Sequence, residues 1–105
     1  MRNTKTLFLL PLLDNNSQPY PASDWDWLTD SLVSRFGGYT LDGKVEGAWR
    51  DPKSGQVYRD ASVRYVVVVE EPAVEDLLSF LGEVKARFRQ EALYVERPTT
   101  EVSFI

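Results

Sequence analysis

The sequence predicts an α+β sandwich with the ferredoxin-like order β-α-β-β-α-β. One antiparallel sheet carries two helices on one face, with room for a short extra C-terminal strand. Three observations lead there. Apolar periodicity switches between strand-like and helix-like segments in that order along the chain. Each helical segment has one apolar stripe, enough to cover one face of a sheet. The first and third strand segments are apolar on both parities, as strands in the middle of a covered sheet are. Those two are the central strands of this topology.

The bulk numbers agree with a single domain spanning 1–105. At 105 residues, 43% hydrophobic and 27% charged, the chain can bury one core without a disulfide or a metal. A net charge of −4, with Lys and Arg scattered among acids, points away from nucleic acid, which needs a basic stripe. Cysteine and histidine are both absent. That removes thiolate nucleophiles, Cys/His zinc sites and Ser-His-Asp triads, and leaves carboxylates, Lys, Tyr or Ser for any catalysis. We expect no metal and no cofactor. The lack of cysteine suits a reducing cytoplasm. The opening "MRNTKTLFLLPLLDNNS" imitates a signal peptide, but its apolar run is short, contains Pro11 and lacks an Ala-x-Ala-like site, so it reads as a buried strand. No other segment approaches the roughly 18 apolar residues of a membrane span.

The first strand, residues 4–13, places Phe8, Leu10 and Leu12 on one side and Leu7, Leu9 and Leu13 on the other. "DNNSQPYP" breaks it with Asx-type turn residues and prolines. Ser23 is the expected N-cap of helix one, with Asp26 three residues on as in a capping box. Trp25, Leu28, Leu32 and Phe36 make its stripe, and Gly37-Gly38 its left-handed stop. Trp27 falls among Asp30, Ser31 and Ser34 on the polar side, where it either lies over "PYPAS" or anchors an interface. Asp24 and Asp26 could make half a metal site, but carboxylates belong at a helix N-terminus anyway. Residues 39–51 and 56–71 form a hairpin around Pro-Lys-Ser-Gly. Helix two starts near Pro72 and buries Val74, Leu77, Leu78, Leu81, Val84 and Phe88. A last strand or strand pair follows in "ALYVERPTTEVSFI", interrupted by Pro98. Gln90 is placed to bond backbone carbonyls at the end of helix two, and Glu91 or Tyr94 to face a cavity.

The hairpin repeats an aromatic–Arg–Asp triplet, Trp49-Arg50-Asp51 and Tyr58-Arg59-Asp60. If odd positions pair with odd, Trp49 points to the edge of the core. Arg50, Tyr58, Asp60 and Arg64 then gather on the opposite face beside Val66 and Val68. A bulge near Gly55 would exchange the sets, because strand alternation has period two. Charged groups at the mouth of an apolar cavity suit a small-ligand site, and two arginines suit an anion. Cross-strand aromatic and charge pairs are also ordinary hairpin stabilisers, worth about 0.2–1 kcal/mol each.

"RFGGYT", "GAWRDPKSGQVYRDAS" and "RFRQEALYVE", in this order and spacing, resemble small bacterial proteins of uncharacterised function over about residues 5 to 97. The WRD…VYRD block is the most specific part. Arg89 stands where that pattern has Gly before the Gln. The resemblance implies a ferredoxin-like domain and brings no activity with it.

Two helices cover one sheet face, so the Leu, Val and aromatic residues of the other parity, Val66 and Val68 among them, need other shelter, since exposed apolar patches beyond about 400 Å² are unusual. A second copy packed sheet to sheet is the expected cover, with Val66, Val68 and Trp27 as interface candidates; the loop at residues 14–24 is the alternative. The leading functional expectation is a non-enzymatic homodimer that binds a small ligand or a protein. The second is a small cofactor-free enzyme of the dimeric α+β barrel type. In it Arg50 and Arg64 hold an anionic substrate and Asp60 or Glu91 is the base. The third is an acidic inhibitor or antitoxin-like partner.

Overall fold

The computed structural model describes residues 2–97 and 101–105. Strand β1 (Asn3–Pro11) leads to helix α1 (Ala22–Phe36) and to the hairpin of β2 (Thr40–Arg50) and β3 (Val57–Glu70). A single 3-10 turn (Glu71–Ala73) then enters α2 (Val74–Arg87), and two short strands follow, β4 (Tyr94–Glu96) and β5 (Glu101–Val102). The sheet order is β2-β3-β1-β4, with β5 also on β1, and every pairing is antiparallel. This is the predicted ferredoxin-like arrangement, with β1 and β3 in the middle. Pro98, where an interruption was expected, lies outside the described residues.

One face of the sheet meets both helices. Phe8 and Leu10 of β1 and Val63, Tyr65, Val67 and Val69 of β3 are buried against Leu28 and Leu32 of α1 and the stripe of α2. Phe8 and Tyr65, paired in register, stack with ring centroids 5.2 Å apart. The α2 stripe includes one residue outside the predicted set. Phe80 is fully buried because α2 faces α1 as well as the sheet, so its buried arc is wider than one stripe. Trp27 and Phe36 of α1 pack on it at 5.3 and 5.6 Å. Trp27 therefore lies in the seam between the helices and not over the 19–23 segment. Its ring sits between Phe80 and the Arg87 guanidinium, 4.6 Å away.

The helix ends follow local chemistry, with one correction. Pro21, not Ser23, occupies the N-cap of α1, and no side chain caps it. Proline's fixed φ suits the entry to a helix, so the first turn closes two residues earlier than expected. Asp24 in that turn accepts a 2.9 Å hydrogen bond from Arg87 Nε instead, tying the two helices together. At the other end Gly37, at φ 87°, lets its N–H reach Val33 O and the Gly38 N–H reach Leu32 O. Helix α2 ends in the same left-handed way, but on Arg89, at φ 52°.

Gln90 then bonds the Phe88 carbonyl and the Tyr20 hydroxyl, at 3.0 and 2.7 Å. Tyr20 in turn donates to Phe88 O, and burial pushes its phenol pKa up, keeping that proton in place. Tyr20 thereby draws the 12–21 loop to the helix side. That loop does not cover the other face of the sheet.

Thr6 is buried among these apolar groups, and its hydroxyl has no partner among the described residues. Thr6→Val keeps the shape and removes the unmet group. We expect a gain of about 1 kcal/mol, roughly 4 °C in Tm, in a thermal melt. A loss of stability would show that the hydroxyl is bonded after all.

Candidate functional site

The turn decides which side chains reach the bare face. Asp51 N–H bonds Gln56 O at 2.9 Å, and Gly55, at φ 73°, closes back on Asp51 O at 2.8 Å. Four residues, 52–55, lie between partners 51 and 56. An even count forces odd positions to pair with even: Trp49 with Tyr58, Gly47 with Asp60, Val45 with Ser62. The expected odd-with-odd register holds only beyond a bulge at Asp42-Gly43, where Leu41 meets Tyr65. Gly43, at φ 89°, supplies the left-handed residue there.

The β2 side chains are therefore exchanged between the faces. Trp49 leaves the core edge for the bare face, where it stacks on Tyr58 at 4.9 Å. Arg50 pairs with Val57 and lies on the helix side of the sheet. The expected cluster is split: Tyr58, Asp60 and Arg64 share the bare face, and Arg50 does not.

Directly opposite residues carry that face across the sheet. Leu7 lies between Val66 and Glu96, and Leu9 between Arg64 and Tyr94. Leu7, Leu9, Val66 and Val68 are half-buried, with no helix over them. A cleft of about 280 Å³ opens there, just below the roughly 300–1,000 Å³ usual for ligand sites. Leu7 and Leu9 of β1 and Ser62 of β3 line it from the middle of the sheet, Val45 from edge strand β2 and Tyr94 from edge strand β4, and Asp60, Glu46 and Glu96 bring carboxylates to the lining. Of the residues expected near a cavity, Tyr94 reaches this cleft, whereas Glu91 borders a separate groove between α2 and the C-terminal strands.

Arg64 is the one cation in the lining, and Asp42 on the β2 bulge lies 3.0 Å from its Nε. The approach is oblique, giving an ion pair without a hydrogen bond, so the buried Nε–H keeps an unmet donor. With one paired arginine and three carboxylates, the cleft favours a cation or a hydroxyl donor over an anion. Glu46 and Glu96 went unnoticed in the sequence. The alternation of β4 against β1 was the signal for Glu96. Glu46 gave none, because it reaches the cleft from the edge strand's other parity. No group of three or more metal-ligating side chains occurs among the described residues. No helix there is long and apolar enough to cross a membrane.

No protein-family model matches the chain, and no curated protein matches it. A solved structure does: a phage SAM lyase in complex with S-methyl-5'-thioadenosine, with a TM-score of 0.66. The match covers 97% of this chain and 88% of that one at 18% identity. At that identity the likeness establishes the shared fold.

Both partners of the Arg64–Asp42 pair are partly exposed, so the pair contributes little to stability. Arg64→Met is expected to change the urea unfolding free energy by less than about 1 kcal/mol. A loss above about 2 kcal/mol would make Arg64 a structural residue rather than one free to meet a ligand.

Proposed function

We propose that this chain binds a small neutral or cationic molecule on the bare face of its sheet, and that it does so as a homodimer. The observation that carries this reading is the composition of the cleft: apolar side chains, one tyrosine and a set of hydrogen-bond acceptors. A nucleoside with an apolar thioether fits that chemistry. Its base has flat faces for Tyr94 and the leucines, and its ribose hydroxyls donate to Asp60, Glu46 or Glu96. The anionic substrate loses its support, since the two arginines it relied on lie on opposite faces.

A second reading, the small cofactor-free enzyme, gains from the structural likeness. A protein of this fold, aligned over nearly all of this chain, is a SAM lyase holding S-methyl-5'-thioadenosine. The carboxylates at the cleft are the groups that would act as bases here, with Asp60 and Glu96 first, because they share the face with Leu7 and Leu9. Nothing comparable favours the inhibitor-like reading.

Thermal melts with added S-methyl-5'-thioadenosine test the binding claim. Saturation at a hundredfold excess over Kd stabilises by about 2.7 kcal/mol, roughly 10 °C in Tm for a chain of this size. Asp60→Asn with Glu96→Gln should remove most of that shift and leave the unliganded melt in place. Incubation with SAM followed by chromatography separates the two readings, since release of S-methyl-5'-thioadenosine faster than in a protein-free blank identifies an enzyme. A flat melt with either compound up to millimolar concentration would contradict the nucleoside ligand.

A further inference from the structure

Strands β2 and β3 outrun the rest of the sheet. The β1 ladder ends where Pro11 meets Ser62, and beyond it only β2 and β3 continue, paired with each other out to Arg50 and Val57. Neither helix reaches this arm, and from Gly47 to Asp60 every residue but Asp51 is exposed. It still carries large apolar side chains. Trp49 is 55% exposed, Val57 51% and Tyr58 40%. Within its own chain the stacked Trp and Tyr give the arm only the modest stabilisation of a cross-strand pair, about 0.2–1 kcal/mol, and these are residue types enriched where proteins meet.

We infer that the arm of one copy closes the cleft of a second copy, with Trp49 and Tyr58 as the wall that the cleft lacks. This rests on reading the cleft as the ligand site. Three further observations favour a second copy as the occupant. The chain exposes 7132 Å², against about 6,000 Å² for a compact monomer of its mass. That surplus, shared by the arm and the C-terminal residues, is of the order of the roughly 800 Å² each partner contributes to a stable interface. Charge at the tip matches as well: Lys53 in the turn makes no ion pair among the described residues, while Glu46, Asp60 and Glu96 give the cleft its negative lining. Finally, the aromatic pair lies on the same face as the cleft, joined to it through Gly47 and Asp60. Arm and cleft share one face of the sheet, and a second copy sheltering one shelters the other.

The site is then built from two chains, and mixing variants tests that directly. Light scattering should give the wild type at least twice 12.0 kDa, and Trp49→Ala with Tyr58→Ala should fall to the single-chain mass while keeping its circular dichroism. That arm variant should lose most affinity for S-methyl-5'-thioadenosine. So should Val45→Arg, which fills the cleft from the edge strand and leaves the arm intact. Mixed in equal amounts, the two should recover binding, up to about half the wild-type sites, because an intact cleft meets an intact arm in the mixed assembly. A wild type that binds the compound as a single chain, or an arm variant that keeps mass and affinity, would overturn the inference. An assembled wild type that falls apart on Trp49→Ala but never takes the compound would overturn the cleft reading and leave the contact between copies standing.

Discussion

Two strands at the centre of the sheet carry apolar side chains on both sides, and two helices can shelter only one of those sides. The core follows from the sheltered side: Phe8, Leu10, Val63, Val67 and Val69 pack under α1 and α2. The unsheltered side sets the functional question. Leu7, Leu9 and Val66 lie in a continuous row across β1 and β3, half-buried by their neighbours on the sheet and by nothing above it. The one loop long enough to fold over them is committed elsewhere, because Tyr20 is locked between Phe88 and Gln90 on the helix side.

Charge decides what that face can receive. The carboxylates of Glu46, Asp60 and Glu96 outnumber Arg64, which is itself met by Asp42. A phosphate or carboxylate ligand would enter a field of its own sign, whereas a hydroxyl-rich or cationic ligand finds acceptors waiting. The change from the anionic expectation comes down to one residue, Arg50, and one parity, that of a four-residue turn.

The element order, the central strands, the Gly37 stop and most of both helix stripes were legible in the sequence, because each rests on local periodicity or on a single backbone requirement. The ferredoxin-like topology followed from their order alone. The hairpin register was harder. Both the turn at 52–55 and the bulge at Asp42-Gly43 reset the alternation, and the two glycines that allow it look alike in sequence. Counting the residues between Asp51 and Gln56 would have put Trp49 on the bare face, but no count locates the bulge. Phe80 was left out and Trp27 misplaced for another reason. Helix wheels assign one buried stripe, and the seam between two helices adds contacts that neither wheel contains. Arg89 takes a left-handed backbone at the end of α2, a conformation that glycine adopts without strain.

Side-chain footprinting with hydroxyl radicals, read residue by residue on mass-spectrometric peptides over a dilution series, tests the central claim most directly. At concentrations where the chain is assembled, Leu7, Leu9 and Val66 should label nearly as slowly as Phe8 and Leu10 beneath the helices, and should become reactive on dilution. Fast labelling of that row at every concentration, beside a protected core, would show that the bare face stays wet and that the account built on its shelter is wrong.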